Sequence, residues 1–171
     1  LETVSGPVSL ETTATEAADI VKEGRALAQL AGNVVVKVPV IREGLKAVKE
    51  LSADGIKTNV TLCFSPLQAL LAAKCGATYI SPFVGRLDSV GHPGMDVVRQ
   101  IRTIYDNYRF ETRILTAAVR HPEHVLQAAL AGSDACTMSF DVLKMLYDHP
   151  LTDIGLDIFL KDWAKATRPA A

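Results

Sequence analysis

No stretch of this chain is apolar for long enough to cross a bilayer. The apolar stretch around Leu70 to Ile80 is broken by Lys74 and Gly76, whereas a spanning helix needs about 20 apolar residues. The N-terminus shows no signal-peptide pattern, so a cytoplasmic protein is expected. An excess of one charge is missing too: 18 Lys and Arg stand against 19 Asp and Glu, for a formal net charge of −1. That balance argues against a nucleic-acid surface and leaves room only for a local basic pocket that takes a small anion. Cysteine is scarce. Cys63, Cys75 and Cys136 are odd in number and lack C-x-x-C spacing, which argues against a disulfide framework or a zinc site and favours a reducing compartment. All three are expected to be small buried hydrophobes. No G-x-G-x-x-G follows the first apolar run, so the dinucleotide-binding sheet has no support.

What is present is an ordinary globular composition, 49% hydrophobic and 22% charged over 171 residues, enough for one domain with a real core. Extended apolar runs near 7–13, 33–40, 56–62, 77–84, 112–119 and 134–139 alternate with helical patterns near 15–30, 42–53, 65–75, 93–108 and 122–131. Two more helical segments follow near 140–148 and 152–165. Ser65-Pro66 and His121-Pro122 place proline in a first helical turn, and Gly76 and Gly132 follow helix ends. Strict βα alternation predicts a parallel sheet, doubly wound or closed as a barrel. A complete (β/α)8 barrel needs eight units and typically about 250 residues, so the expectation is an α/β TIM (β/α)8 barrel truncated to about six βα units plus a C-terminal helix. Residues 1–171 are read as one partial domain.

The second strand carries the chemical signal. Asn33-Val34-Val35-Val36-Lys37-Val38-Pro39-Val40 sets one ammonium in a β-branched run that a parallel sheet would cover on both faces. Alternation places Val34, Val36, Val38 and Val40 on one face and Lys37 with Val35 and Pro39 on the other. Read alone, Lys37 is a strand-end lysine with a buried stem and a wet head. Desolvated, its amine would be available to attack a carbonyl and form a Schiff base. If Lys37 faces a barrel interior, polar residues should share that face on other strands. Ser9, Glu11 and Thr13 do so on the first, Asn59 and Thr61 on the third, and Ser81 and Phe83 on the fourth; the fifth offers Thr116 and Ala118, followed by Arg120. Lysine can serve as nucleophile and glutamate as proton shuttle. Arg86 and Arg120, each just past a strand, could clamp a phosphate or form surface ion pairs. His121 and His124 read as capping or surface residues, and Phe159 with Trp163 as an apolar core pair.

Three ordered motifs carry a resemblance: Val34-Val35-Val36-Lys37-Val38-Pro39, Thr58-Asn59-Val60-Thr61-Leu62 and Ser81-Pro82-Phe83-Val84-Gly85-Arg86-Leu87-Asp88. The chain resembles the small transaldolases and their close relatives, the fructose-6-phosphate aldolases, from about Gly6 to Trp163. The resemblance implies a class I aldol mechanism with no metal and no cofactor. In it Lys37 is the Schiff-base lysine, Glu11 the acid/base that works through a water, and Thr61 the residue holding that water. Asn59, with Ser81 nearby, orients substrate hydroxyls, and Arg86 with Arg120 binds the phosphate. The aldolases of the family carry glutamine at the position of Glu11 and tyrosine at that of Phe83, so this pair points to a transaldolase.

The implied reaction moves a dihydroxyacetone unit from sedoheptulose 7-phosphate or fructose 6-phosphate to glyceraldehyde 3-phosphate or erythrose 4-phosphate, in the pentose phosphate pathway. Sugar phosphates are the implied partners, with neither nucleic acid nor membrane, and a homo-oligomer through the C-terminal helix is expected. The alternatives are a fructose-6-phosphate aldolase or a catalytically impaired sugar-phosphate-binding remnant. Ala118 stands where relatives usually carry a phosphate-binding serine, and the family's first two strands have no counterpart. A longer parent sequence supplying those strands, or a variant that has lost activity, is therefore expected.

Overall fold

Each apolar run settles as a strand and each longer periodic segment as a helix. The computed structural model describes residues 3–167. In order along the chain come β1 (Val8–Glu11), α1 (Ala17–Ala28), β2 (Val34–Pro39), α2 (Arg42–Ala53), β3 (Thr58–Cys63), α3 (Pro66–Lys74) and β4 (Tyr79–Pro82). Then follow α4 (Val84–Asp88), α5 (Gly94–Tyr108), β5 (Arg113–Val119), α6 (Pro122–Leu130), β6 (Ala135–Met138), α7 (Phe140–Met145) and α8 (Pro150–Ala166). The strands lie side by side in chain order, every adjacent pair parallel. Six parallel strands with helices between them make a half-barrel, a truncated TIM-barrel-like fold, and α8 extends beyond it.

Local chemistry explains the boundaries. Ser65 and Gln68 form a reciprocal capping box at the start of α3, with Pro66 at its first position. Gly76 and Gly132 take φ of 84° and 75° after α3 and α6, a left-handed turn that costs glycine little. The run near 77–84 ends as a strand at Pro82, and Val84 instead opens the short α4, which the β-branched pattern concealed.

One face of the sheet is sealed by helices. Val36 and Val38 from β2, Val60 from β3, Ile80 from β4 and Ile114 from β5 are fully buried against Ile20, Leu51, Val98, Ile101 and Tyr105 of the helices. Each such aliphatic side chain contributes about 1.5 to 3 kcal/mol on burial. The other face carries the polar residues. Glu11, Lys37 and Asn59 are direct partners across β1, β2 and β3, and in-register neighbours of a parallel sheet point the same way.

Two kinks disturb this alternation. Leu62 in β3 and Ala118 in β5 adopt φ of 58° and 56°, each where the strand's register shifts. An inserted residue re-aims the side chains around it. The inward expectation for Thr116 fails accordingly: it is buried on the outer side, bonded to Ser133 at 2.8 Å, while Leu115 and Ala117 face the interior with Ala118 beyond them.

Three other expectations also change. Cys63 is buried, but Cys75 and Cys136 are only partly so. His124 is not a surface residue, being buried in the first turn of α6. Phe159 and Trp163 belong to no core: α8 buries none of its residues, and these two are 72% and 70% exposed. Leu151, Ile154, Leu156, Ile158 and Leu160 are exposed with them, so apolar side chains have no partner within this chain's own described fold. Among the described residues no helix is long and apolar enough to cross a membrane.

Candidate active site

The polar face opens at the carboxyl ends of the strands, where barrel enzymes build their sites. A pocket of about 270 Å3 there is lined by Ser9 and Glu11 from β1, Lys37 from β2, Asn59 from β3, Ser81 and Phe83 around the end of β4, Leu115, Ala117 and Ala118 from β5, and Thr137 from β6. A larger hollow of about 410 Å3 lies on the outer surface between α2 and α3. Its lysines and arginine have no carboxylate among the residues facing the hollow, so chemistry rather than size singles out the inner pocket.

Lys37 Nζ donates to Glu11 Oε2 at 2.9 Å, with side chains 25% and 49% exposed. A pair this wet stabilises the fold by only about 0 to 1 kcal/mol. Beside it, Asn59 is held from both sides. Ser81 Oγ donates to the Asn59 carbonyl oxygen at 2.7 Å, and the Asn59 amide nitrogen donates to Ser9 Oγ at 3.1 Å. That assignment fixes which way the amide points and leaves its second N–H available. Ser9 thus emerges as a partner that strand alternation had placed on the right face without giving it a task.

The remaining expected residues surround the pocket rather than line it. Thr61 is fully buried, and its hydroxyl has no hydrogen-bond partner among the described residues. Arg86, in α4, lays its guanidinium 5.1 Å from the centre of the Phe83 ring, and Phe64 meets the same ring edge-on at 5.9 Å. Arg120 is exposed just past β5, its stem against the Gly85 backbone. Thr137, Leu115 and Ala117 were missed. Thr137 sits in a strand only four residues long, and the other two became visible only once the kink at Ala118 was known. The cysteine thiols take no part: burial pushes Cys63 up to about 12 and raises Cys75 and Cys136 as well, which leaves little of the reactive thiolate.

The fold is a truncated βα-barrel, and its inner pocket sets a lysine beside a carboxylate. The chain belongs to the transaldolase/fructose-6-phosphate aldolase family, whose model matches residues 1–168. It is 61% identical over 165 residues to a protein of Hydrogenobaculum sp. (strain Y04AAS1) named "Probable transaldolase", covering 96% of this chain and 76% of that one. A protein of the same name from Petrotoga mobilis (strain DSM 10674 / SJ95) is 58% identical over 164 residues, with 96% and 74% covered. The chain therefore spans about three quarters of the length of these relatives.

Proposed function

We propose that the protein is a transaldolase that works through a Schiff base on Lys37. The observation that carries the reading is the Lys37 to Glu11 contact of 2.9 Å beside an Asn59 locked by Ser9 and Ser81. An ammonium must lose a proton before it can attack, and the Glu11 carboxylate stands within transfer distance. The free amine of Lys37 then adds to the carbonyl carbon of fructose 6-phosphate or sedoheptulose 7-phosphate. Loss of the carbonyl oxygen as water leaves a protonated imine.

Removal of a proton from the C4 hydroxyl breaks the C3–C4 bond. The electron pair flows into the imine, an aldose phosphate leaves, and a dihydroxyacetone enamine stays on Lys37. Addition of that enamine to a second aldose phosphate, erythrose 4-phosphate or glyceraldehyde 3-phosphate, followed by hydrolysis, completes the transfer expected in the pentose phosphate pathway. Glu11 shuttles protons through a water held by Thr61, whose hydroxyl has no other partner among the described residues. Asn59 and Ser81 orient the sugar hydroxyls. Arg86 and Arg120 take the phosphate, for which guanidinium is suited in charge and shape.

Transferase is favoured over fructose-6-phosphate aldolase by Phe83, whose ring lines the pocket and has no hydroxyl to bond a catalytic water. An impaired binding remnant has its own support: Ala118, which lines the pocket, lacks a hydroxyl for phosphate. Borohydride reduction in the presence of fructose 6-phosphate, followed by mass spectrometry of the Lys37 peptide, separates these readings without requiring turnover. An adduct on Lys37 that disappears in Lys37→Ala is expected. A folded protein giving no adduct would leave the remnant reading. Adding erythrose 4-phosphate then divides transferase, which yields sedoheptulose 7-phosphate, from aldolase, which releases dihydroxyacetone.

Self-association belongs to the same proposal. The exposed apolar residues of α7 and α8, including Phe140, Leu151, Phe159 and Trp163, form the kind of surface that another subunit covers. Sedimentation of Trp163→Ser beside the unaltered chain should show a lower assembly state; an unchanged mass would reject α8 as the interface.

A further inference from the structure

Arg86 and Arg120 stand on different turns, one after β4 and one after β5, and a phosphate clamp requires that their separation be fixed. Long, exposed arginine side chains do not fix it themselves. The backbone beneath them does. Gly85 lies so close to the second turn that a Cβ on it would sit 2.2 Å from the Ala118 carbonyl oxygen and 3.0 Å from Arg120 Cγ. Van der Waals contact alone sets a minimum distance but does not stop the turns from sliding or parting.

A polar chain from a buried histidine to a half-exposed aspartate supplies that restraint. His124 is 6% exposed, and its Nε2 lies 2.7 Å from Asp88 Oδ2. Its Nδ1 accepts the main-chain N–H of Arg120 at 3.3 Å, and the other Asp88 oxygen accepts the N–H of Gly94 at 2.9 Å. An Nδ1 that accepts carries no proton, so Nε2 carries it and donates to Asp88. One imidazole thereby holds the Arg120 backbone at one nitrogen and the end of α4, two residues past Arg86, at the other. His121 stacks on the same ring at 3.8 Å.

We propose that Asp88 and His124 are positioning residues that lock the Arg86 turn to the Arg120 turn and so set the spacing of the two guanidinium groups for a sugar phosphate. This rests on the reading of Arg86 and Arg120 as the phosphate ligands. Neither Asp88 nor His124 lines the pocket; both act through backbone placement.

Two variants test it while nearly preserving volume. Asp88→Asn leaves a single acceptor where two N–H groups point, and His124→Gln keeps an amide donor toward Asp88 while placing no acceptor atom at the Nδ1 position that faces Arg120. In borohydride trapping, the half-saturating concentration of fructose 6-phosphate should rise roughly tenfold in each, as loss of about one hydrogen bond implies. The concentration of unphosphorylated fructose required should change by less than about twofold. An equal rise for both sugars would show a merely structural role and overturn the proposal, as would no rise for either.

Inorganic phosphate titrated against the Arg86 and Arg120 Nε–H resonances reads the clamp independently of Lys37. The variants should need roughly tenfold more phosphate than the unaltered chain to reach the same shift. Unaltered midpoints would overturn the proposal. Arg86→Ala separates the two levels: if it leaves the preference for fructose 6-phosphate over fructose intact, the phosphate reading itself fails; if it abolishes the preference while Asp88→Asn and His124→Gln keep it, only the brace fails.

Discussion

The two faces of one sheet are built to opposite rules. On β2, Val36 is fully buried against the helices, while its neighbour Lys37 faces the pocket with a quarter of its side chain exposed. On β4, Ile80 is sealed and Ser81 turns inward to Asn59. The outer face holds the fold by close packing, where any lost methylene is felt. Along the inner face, one weak, partly exposed ion pair and directed hydrogen bonds hold the polar residues in place. Stability and activity should therefore separate cleanly between residues adjacent in sequence.

The largest effect should fall on Lys37. On the proposed reading, Lys37→Ala removes the nucleophile and lowers turnover by a factor of about 10³ or more, yet its wet pair with Glu11 adds at most about 1 kcal/mol to the fold. A chemical denaturation midpoint close to the unaltered chain, beside undetectable transfer of dihydroxyacetone, is the expected pair of results. Retained transfer would break the comparison on its inner side. Ile80→Ala should do the reverse, costing about 2 to 5 kcal/mol in urea unfolding through the cavity it leaves. A loss below about 1 kcal/mol would mean that the outer face is not close-packed at β4.

These contrasts were partly legible in the amino-acid pattern. A valine run interrupted by one lysine specifies a doubly covered strand and, by parity, the face on which the lysine lies, so Lys37, Glu11, Asn59 and Ser81 converge as alternation implies. Parity was lost where the backbone inserts a kink. Ala118 at φ of 56° has no composition signal, since a left-handed alanine is set by its surroundings and not by its own preference. Thr116 was consequently assigned to the wrong face. The reading of His124 failed for a related reason: a histidine two residues past a helix-starting proline looks like a surface residue until Asp88, distant in sequence, is brought to 2.7 Å. Tertiary partners of this kind leave no local trace. On α8, helical spacing was correct but burial was not, because apolar composition alone does not say whether the rest of the same chain packs on the helix.

Ser81→Ala is a finer cut through the same comparison. It removes the donor at 2.7 Å from the Asn59 carbonyl oxygen, in a site where Asn59 is 1% exposed. A buried acceptor left without its partner costs about 1 to 3 kcal/mol, less than the Ile80 cavity. Freed from one side, the Asn59 amide can turn, so the KM for fructose 6-phosphate should also rise, by roughly tenfold on the same hydrogen-bond scale. Unfolding and substrate kinetics measured on one preparation check both halves; lost stability with an unchanged KM would show that Ser9 alone orients Asn59.

The smallest effect concerns the loop that follows Glu11. Glu23, reaching from α1, accepts the main-chain N–H of Thr13 at 2.7 Å and that of Ala14 at 3.2 Å, and the Thr13 hydroxyl bonds its other oxygen at 3.0 Å. The Thr13 backbone bond, followed by that from Ala14, holds the Glu23 carboxyl below the usual glutamate value. A carboxylate whose folded value lies below its unfolded value stabilises the fold above the unfolded value, and that contribution is lost as pH falls through the folded one. Urea midpoints of the unaltered chain should therefore exceed those of Glu23→Gln at neutral pH, and the gap should close as pH is lowered from about 7 toward 3. A gap independent of pH would mean that Glu23 steadies β1 by packing rather than charge, which would bring the inner edge of the sheet under the same rule as its outer face.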